Sequence, residues 1–399
     1  MNRFLKFSFA SFAILFVLAF ISCKSNDEDD DSPAPKNKLS VTATEASTAE
    51  LGGSYSKDIT VEVDFAENAV LPSRVALSTT SETLANGDDI KDFLKANIVN
   101  ADGVSADSFS ISSAIIKSLS AQSITFSVAG TAPSENSSVT LTLLLPPKFM
   151  KDGLPFGKPV QKVSVGTGVT ASNTAAAVSI PKKTDLAGKI LKTKDGDESS
   201  YYVFDKNSNI TRYYSGHHEE WGSRTLSYDE TKGEIVSTSE DRTSAVEKII
   251  SANGTYYIVD WDEIPRTEGS GLEGVFHVFV DEGEEDGVPV STETTITLNG
   301  DETLSYYKIE IDRTGKDEER HTEKRYLIGG GAYINKNGIL SISGTWFYFS
   351  KNADTDEELE NEIMPAATLE LIYDGSTLYL TGGSCSFADE SELPASTSN

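Results

Sequence analysis

The sequence predicts an all-β protein: a first unit built as an antiparallel sandwich, then a second built from aromatic hairpins arranged as two sheets or half-barrels. Apolar and polar residues alternate over many short runs, Asn-Gly and Asp-Gly pairs separate several of those runs, and the aromatic residues divide sharply along the chain. Alternation places every second side chain on one face, the pattern of a half-buried strand. An Asn-Gly or Asp-Gly pair between two such runs supplies the positive φ angles of a tight hairpin turn.

The aromatic partition sets the domain boundary. Between residues 39 and 168 there is one tyrosine, Tyr55, and neither tryptophan nor histidine, whereas all three tryptophans, all four histidines and the other tyrosines lie beyond residue 184. Residues 39–168 and 185–387 are therefore read as different domains. The small, polar stretch 169–184, with Pro181 near its end, reads as a linker. In the first unit Ile59, Val61, Val63 and Phe65 share a face, as do Phe109 and Ile111, then Ile124, Phe126 and Val128, then Val139, Leu141, Leu143 and Leu145. The spacing of Ile90, Phe93, Leu94 and Ile98 predicts an exposed helix between strands. Six or seven short strands with turn residues between them make the unit similar to immunoglobulin-like modules in architecture. The Cys…Trp…Cys signature of antibody domains is absent.

In the second unit Asn299-Gly300, Asn337-Gly338 and Asp374-Gly375 mark hairpins. A Tyr-Tyr unit recurs at Tyr201-Tyr202, Tyr256-Tyr257 and Tyr306-Tyr307, which reads as equivalent strands of a meander. Leu186-Ala187-Gly188-Lys189 and Leu272-Glu273-Gly274-Val275 open alike, suggesting halves at 185–265 and 270–387. A strand opening with Leu-x-Gly followed by aromatic antiparallel hairpins resembles the lipocalin-like domains of bacterial lipoproteins, with Ile190 and Phe276 where tryptophan is common. The resemblance implies an antiparallel barrel able to enclose a small ligand or to be filled by its own side chains. Thr355-x-x-Glu358 reads as a capping box opening a short helix that carries Leu359 and Ile363 and stops at Pro365.

The first residues read as an address. Arg3 and Lys6 precede the apolar run 7–21, then Ser22-Cys23 and the acidic patch 27–31. Fifteen apolar or small residues fall short of the roughly 20 that a membrane-spanning helix needs, and a basic, apolar, small-residue order describes a secretory signal peptide over residues 1–22. Cysteine directly after the cut resembles the lipobox of bacterial lipoproteins. That resemblance implies that Cys23 becomes the acylated mature N-terminus and that the protein stays on its membrane. Residues 23–38 should form a disordered acidic tether, and 388–399 a disordered tail. The acidic patch resembles an outward-sorting signal of some diderm bacteria, which places the protein on the cell outer membrane, facing out; a periplasm-facing location is the alternative.

Composition narrows the function classes. Losing Arg3 and Lys6 with the leader leaves 32 Lys+Arg against 62 Asp+Glu, a net charge of −30, so nucleic acid is excluded as a partner by repulsion. With Cys23 lipidated, Cys385 has no partner and reads as a small core residue. Gly269-x-Gly271-x-x-Gly274 matches a dinucleotide fingerprint by letter but leads into a strand, so it reads as a turn. Asp205-x-Asn207-x-Asn209 lacks the glycine and glutamate of a calcium loop and also reads as a turn. His217 and His218, before Glu219, Glu220 and Trp221, would point to opposite faces of a strand; His218 and Glu220, with His277 or His321, are the candidate metal set, against a polar loop. The acidic runs 282–286 and 354–362 read as solvated loops. Nothing assembles a nucleophile, a base and an oxyanion donor, so neither an enzyme nor a cofactor is expected. Four consecutive aromatics, Trp346 to Phe349, put two rings on each strand face. Trp221, Trp346 and Tyr348 are the candidate ligand-binding residues. The leading expectation is a binding or adhesin-like module for a protein or glycan; carriage of a small apolar ligand in the barrel is the rival, and an unrecognised hydrolase ranks third.

Overall fold

The short alternating runs of the first unit become strands of two facing sheets. The computed structural model describes residues 46–62, 84–104, 107–120, 123–150, 154–195, 198–207, 209–215, 221–239, 242–285, 287–315 and 320–394. The leader, Cys23, the tether, Val63, Phe65 and His217 to Glu220 lie outside them. Eight strands, β1 (Ser47–Ala49), β2 (Ser54–Glu62), β3 (Leu94–Asn100), β4 (Gly103–Val104), β5 (Ser110–Leu119), β6 (Ser123–Thr131), β7 (Ser137–Leu145) and β8 (Phe156–Val165), form sheets of order β1-β8-β7-β3-β4 and β2-β6-β5. Every pair is antiparallel except β1 with β8. The predicted inward residues Ile59, Val61, Ile124, Phe126, Val128, Val139, Leu141, Leu143 and Leu145 meet in one core.

Residues 90–98 are not a helix. A single 3-10 turn, Lys91–Phe93, leads directly into β3. Leu94 and Ile98 are four apart, a spacing that shares a face under either period. Leu94, Ala96 and Ile98 complete the sandwich core, while Asn97 and Val99 on the other face reach the second unit. β7 is buried along its whole length for the same reason: one face packs in the sandwich, and Leu144 on the other joins Tyr307, Ile328, Phe347 and Phe349. The Asn97 amide bridges Thr142 and Thr345 across this contact, at 3.1 and 2.9 Å.

The segment 169–184 connects the two units, but much of it is strapped down. Asn335 Nδ2 donates to the Thr174 carbonyl at 3.0 Å, the Ala176 amide donates to Tyr373 at 2.7 Å, and β9 (Val178–Ser179) pairs with a later strand. One turn of helix, α1 (Lys183–Leu186), precedes β10 (Ile190–Asp195), β11 (Glu198–Phe204), β12 (Ile210–Ser215), β13 (Trp221–Asp229), β14 (Glu234–Ser239), β15 (Arg242–Ala252) and β16 (Thr255–Ser270), each antiparallel to the next. β16 continues into β17 (Glu273–Glu285), β18 (Val288–Leu298), β19 (Thr303–Thr314), β20 (His321–Lys336), β21 (Ile339–Asn352), β22 (Glu358–Ile363), β23 (Ala367–Tyr373) and β24 (Thr377–Ser384). β21 pairs with both β22 and β23, and β24 returns to β16, so β16 to β21 with β23 and β24 form a closed eight-stranded antiparallel barrel.

A second, smaller ring shares two of its walls with the first. β24 runs on into β25 (Ser386–Phe387), which pairs with β10, while Ser384 pairs with Tyr257 and the Cys385 amide donates to Tyr256 at 2.8 Å. β10 to β16 and the β24–β25 segment thus surround their own apolar centre of Leu186, Leu191, Tyr202, Phe204, Ile210, Leu226, Ile235, Ile249 and Ile258. The two Leu-x-Gly openings have one job each: Leu186 packs into the smaller centre and Leu272 into the larger. The expected halves are therefore not separable at residues 265–270, since β16 serves both rings.

The three predicted hairpins form where expected. Asn337 and Gly338 make a two-residue turn with φ of 54° and 84°, the pattern of a type I′ turn. The helix expected after Thr355 is instead β22, hydrogen-bonded along β21. Leu359 and Ile363 are again four apart and share a strand face, but of residues 358–363 only Ile363 is partly buried; Leu359 is exposed, as are Glu360 and Glu362. The acidic runs are solvated as expected, yet 282–285 lie in β17 and 358–362 in β22 rather than in loops. The tail is ordered as far as residue 394, through a 3-10 turn, Glu390–Glu392, whose Glu392 carboxylate meets Lys192 at 2.9 Å.

The glycines of β20 and β21 set how closely these layers pack. A Cβ on Gly330 would lie 2.9 Å from Pro159 of the sandwich, and one on Gly344 would meet the Trp346 indole. Gly344→Ala is accordingly expected to destabilise the chain by about 1–3 kcal/mol through overpacking. Urea unfolding of the variant measures it, and an unchanged midpoint would contradict the packing described.

Candidate functional site

The interior of the larger barrel is occupied by its own side chains. Tyr306 and Trp346 meet edge to face with ring centroids 6.2 Å apart, Phe276 and Tyr373 likewise at 6.1 Å, and Ile264, Ile296, Leu298, Leu340 and Leu371 fill the remainder. The strap adds Ala171 and Ala175, and Arg266 donates to the carbonyls of Gly271 and Gly375 across one end. Below this layer the same face of the sheet turns polar. Arg325 lies 3.0 Å from Glu323, 3.4 Å from Asp312 and 4.0 Å from Glu310, and Lys308 lies 2.6 Å from Glu310. Three carboxylates around one guanidinium leave that charge fully answered.

Of the residues proposed for ligand contact, Trp346 is 1% exposed and belongs to the barrel filling. Tyr348 is half-buried two residues farther along the same face, while Phe347 and Phe349 are buried against the sandwich side, so the aromatic strand is covered on both faces. Trp221 opens β13, and its side chain lies outside the described residues. His277 faces Glu293 at 3.6 Å on the outer wall, and no group of metal-ligating side chains occurs among the described residues. The turn at Asp205 is held by its own carboxylate, which accepts from the Asn207 and Asn209 amides at 2.7 and 2.9 Å.

The smaller ring holds a different arrangement, built by register. Tyr202 on β11 pairs with Arg212 on β12, and Arg212 with Arg224 on β13; two residues on, Phe204, Ile210 and Leu226 occupy the apolar centre, so all three polar residues lie on the inward side. Glu247 on β15 pairs with the inward Ile235. The Tyr202 hydroxyl donates to Glu247 Oε1 at 2.9 Å, and Arg212 Nη1 lies 3.0 Å from the same oxygen. The guanidinium of Arg212 is held between the rings of Tyr202 and Tyr214, at 5.4 and 5.7 Å from their centroids, a cation–π pairing on two sides. Glu247 is 8% exposed, Tyr214 36%, and Arg224 is exposed. The cluster thus runs from a buried carboxylate outward to a solvated guanidinium.

Burial acts on the ionisable groups of this cluster. Burial raises the Glu247 carboxyl above its ordinary value, and Arg212, the Tyr202 hydroxyl and Arg224 oppose that shift without cancelling it. Among the described residues Glu247 Oε2 and Arg212 Nε are buried and have no hydrogen-bond partner. Cys385 borders the same centre, and desolvation pushes its thiol up to about 12. A thiol held protonated is a packing group rather than a nucleophile.

No protein-family model matches the chain, and no curated protein is detectably similar to it in sequence. The cluster itself was not foreseen from sequence. The available signal was arginine at alternating inward positions of β12 and β13, flanked by tyrosines.

The raised carboxyl has a pH consequence. A folded-state value above the unfolded 4.5 means that the folded chain binds this proton more tightly, so the contribution to stability is greatest below that value and is lost as pH rises through the folded one. As pH rises from about 4.5 through the folded value, the native chain should therefore lose stability relative to Glu247→Gln, which cannot titrate. Thermal unfolding of both proteins across this range measures the difference, and parallel curves would contradict it.

Proposed function

We propose that this chain is an exported lipoprotein, anchored in the cell outer membrane through Cys23 and facing outward, that works as a binding module rather than an enzyme. The observation that carries the reading is the division between the two rings. The larger is filled by Trp346, Tyr306 and their neighbours, which counts against carriage of an apolar ligand there. The smaller carries Tyr214 and Arg224 exposed above a buried glutamate on its inward side, side chains suited to recognition. The sandwich, packed along the outer wall through Asn97, Leu144 and Pro159, serves as a rigid stalk between tether and rings. The net charge of −30 keeps these bodies clear of an anionic lipid surface.

Two measurements test the reading. Cys23→Ala should end incorporation of a fatty-acid probe and move the protein out of the membrane fraction, and protease added to intact cells should digest the native chain; unchanged labelling, or full protection while a known surface protein is cut, contradicts the anchor or its orientation. The purified full chain should give saturable binding on an array of glycans and proteins. A silent array together with an apolar molecule co-extracted from the protein would favour the carrier instead.

A further inference from the structure

The polar cluster of the smaller ring carries groups whose needs complement one another. Glu247 Oε2 is a buried acceptor and Arg212 Nε a buried donor, both without a partner among the described residues, and both belong to side chains already joined through Glu247 Oε1. Buried polar atoms are ordinarily satisfied, and a single hydroxyl, which donates and accepts at once, can serve both. Next to them Tyr214 presents a partly exposed ring that is stacked on the Arg212 guanidinium and so held in place. A rigid aromatic face of this kind suits the apolar C–H face of a sugar ring. Arg224, directly opposite Arg212 in register, is solvated and has no carboxylate within ion-pair distance among the described residues. Arg212 and Arg224 against Glu247 give these three side chains one net positive charge, which favours an anion at Arg224.

We propose that the polar cluster of the smaller ring binds a carboxylate-bearing sugar, with Glu247 and Arg212 holding a ring hydroxyl, Tyr214 lying against the ring face and Arg224 pairing with the carboxylate. The proposal rests on the reading of the chain as a binding module and names its ligand class. The Arg325 cluster of the larger barrel does not compete for that role, because its guanidinium is already matched by three carboxylates.

The test is calorimetric titration of the full chain in detergent with glucuronate, glucose and inorganic phosphate. Glucuronate should bind at least about tenfold more tightly than either of the others, since each lacks one of the two charge-assisted contacts. Arg224→Ala should lower glucuronate affinity about tenfold, to the level of glucose, with thermal unfolding little changed because the side chain is exposed. Glu247→Gln should weaken glucuronate and glucose alike. The proposal is overturned if glucuronate gives no heat at about 10 mM, well above a millimolar dissociation constant, if phosphate or glucose binds as tightly, or if either variant binds as the native chain does. Such a failure alongside saturable binding of the same protein on the array would remove the sugar acid and leave the binding module standing.

Discussion

The ladder between β16 and β24 is the constraint on which the rest of the second unit depends. Tyr257 pairs with Ser384, Val259 with Thr381, Glu263 with Tyr379 and Ile264 with Leu378, with irregularities along the way that let β16 leave one ring and enter the other. Ile258 then points into the smaller centre and Ile264 into the larger. Two edges that would otherwise stand open are joined by one pair of strands, so neither ring closes without the other. Open edges expose unpaired backbone and invite association; sharing the strands removes that liability for both rings at once.

Filling and polarity are distributed unevenly across this frame. The larger barrel packs tryptophan against glycine, using Gly344 to make room for the Trp346 indole and Gly330 to let Pro159 approach from the sandwich. Its polar residues are matched in charge, as around Arg325. The smaller ring keeps a carboxylate and a guanidinium with unanswered atoms below a solvated arginine. Leaving buried polar atoms unpaired costs about 1–3 kcal/mol each; such atoms also occur elsewhere, at Trp346 Nε1 and Tyr307 Oη among others, but in the smaller ring a carboxylate and a guanidinium carry them side by side, next to a partly exposed tyrosine and a solvated arginine.

Much of this architecture was legible in the sequence and some was not, for definite reasons. Asn337-Gly338 specified its turn because few residue pairs adopt two positive φ angles, and the alternation of Val139, Leu141, Leu143 and Leu145 specified a strand because nothing helical has that period. Leu94 with Ile98, and Leu359 with Ile363, misled because a spacing of four satisfies both periods; the neighbours that decide, the sandwich core for one and β21 for the other, are remote in sequence. The Tyr202, Arg212, Arg224 and Glu247 cluster draws on four strands and exists only through their register. Sequence could suggest inward arginines but not bring them to one carboxylate. The shared strands were hidden for the same reason, since the pairing of β24 with β16 spans more than a hundred residues.

The claim that the two rings form one cooperative body is tested most directly by hydrogen exchange after a substitution confined to the smaller one. Leu226 is 4% exposed in the smaller centre, and Leu226→Ala should cost about 2–5 kcal/mol. If β16 and β24 couple the rings, the slowest amides of β19, β20 and β21 in the larger barrel will exchange faster by the same factor as those of β12 to β15. Faster exchange restricted to β10 to β15, with the larger barrel unchanged, would contradict the account.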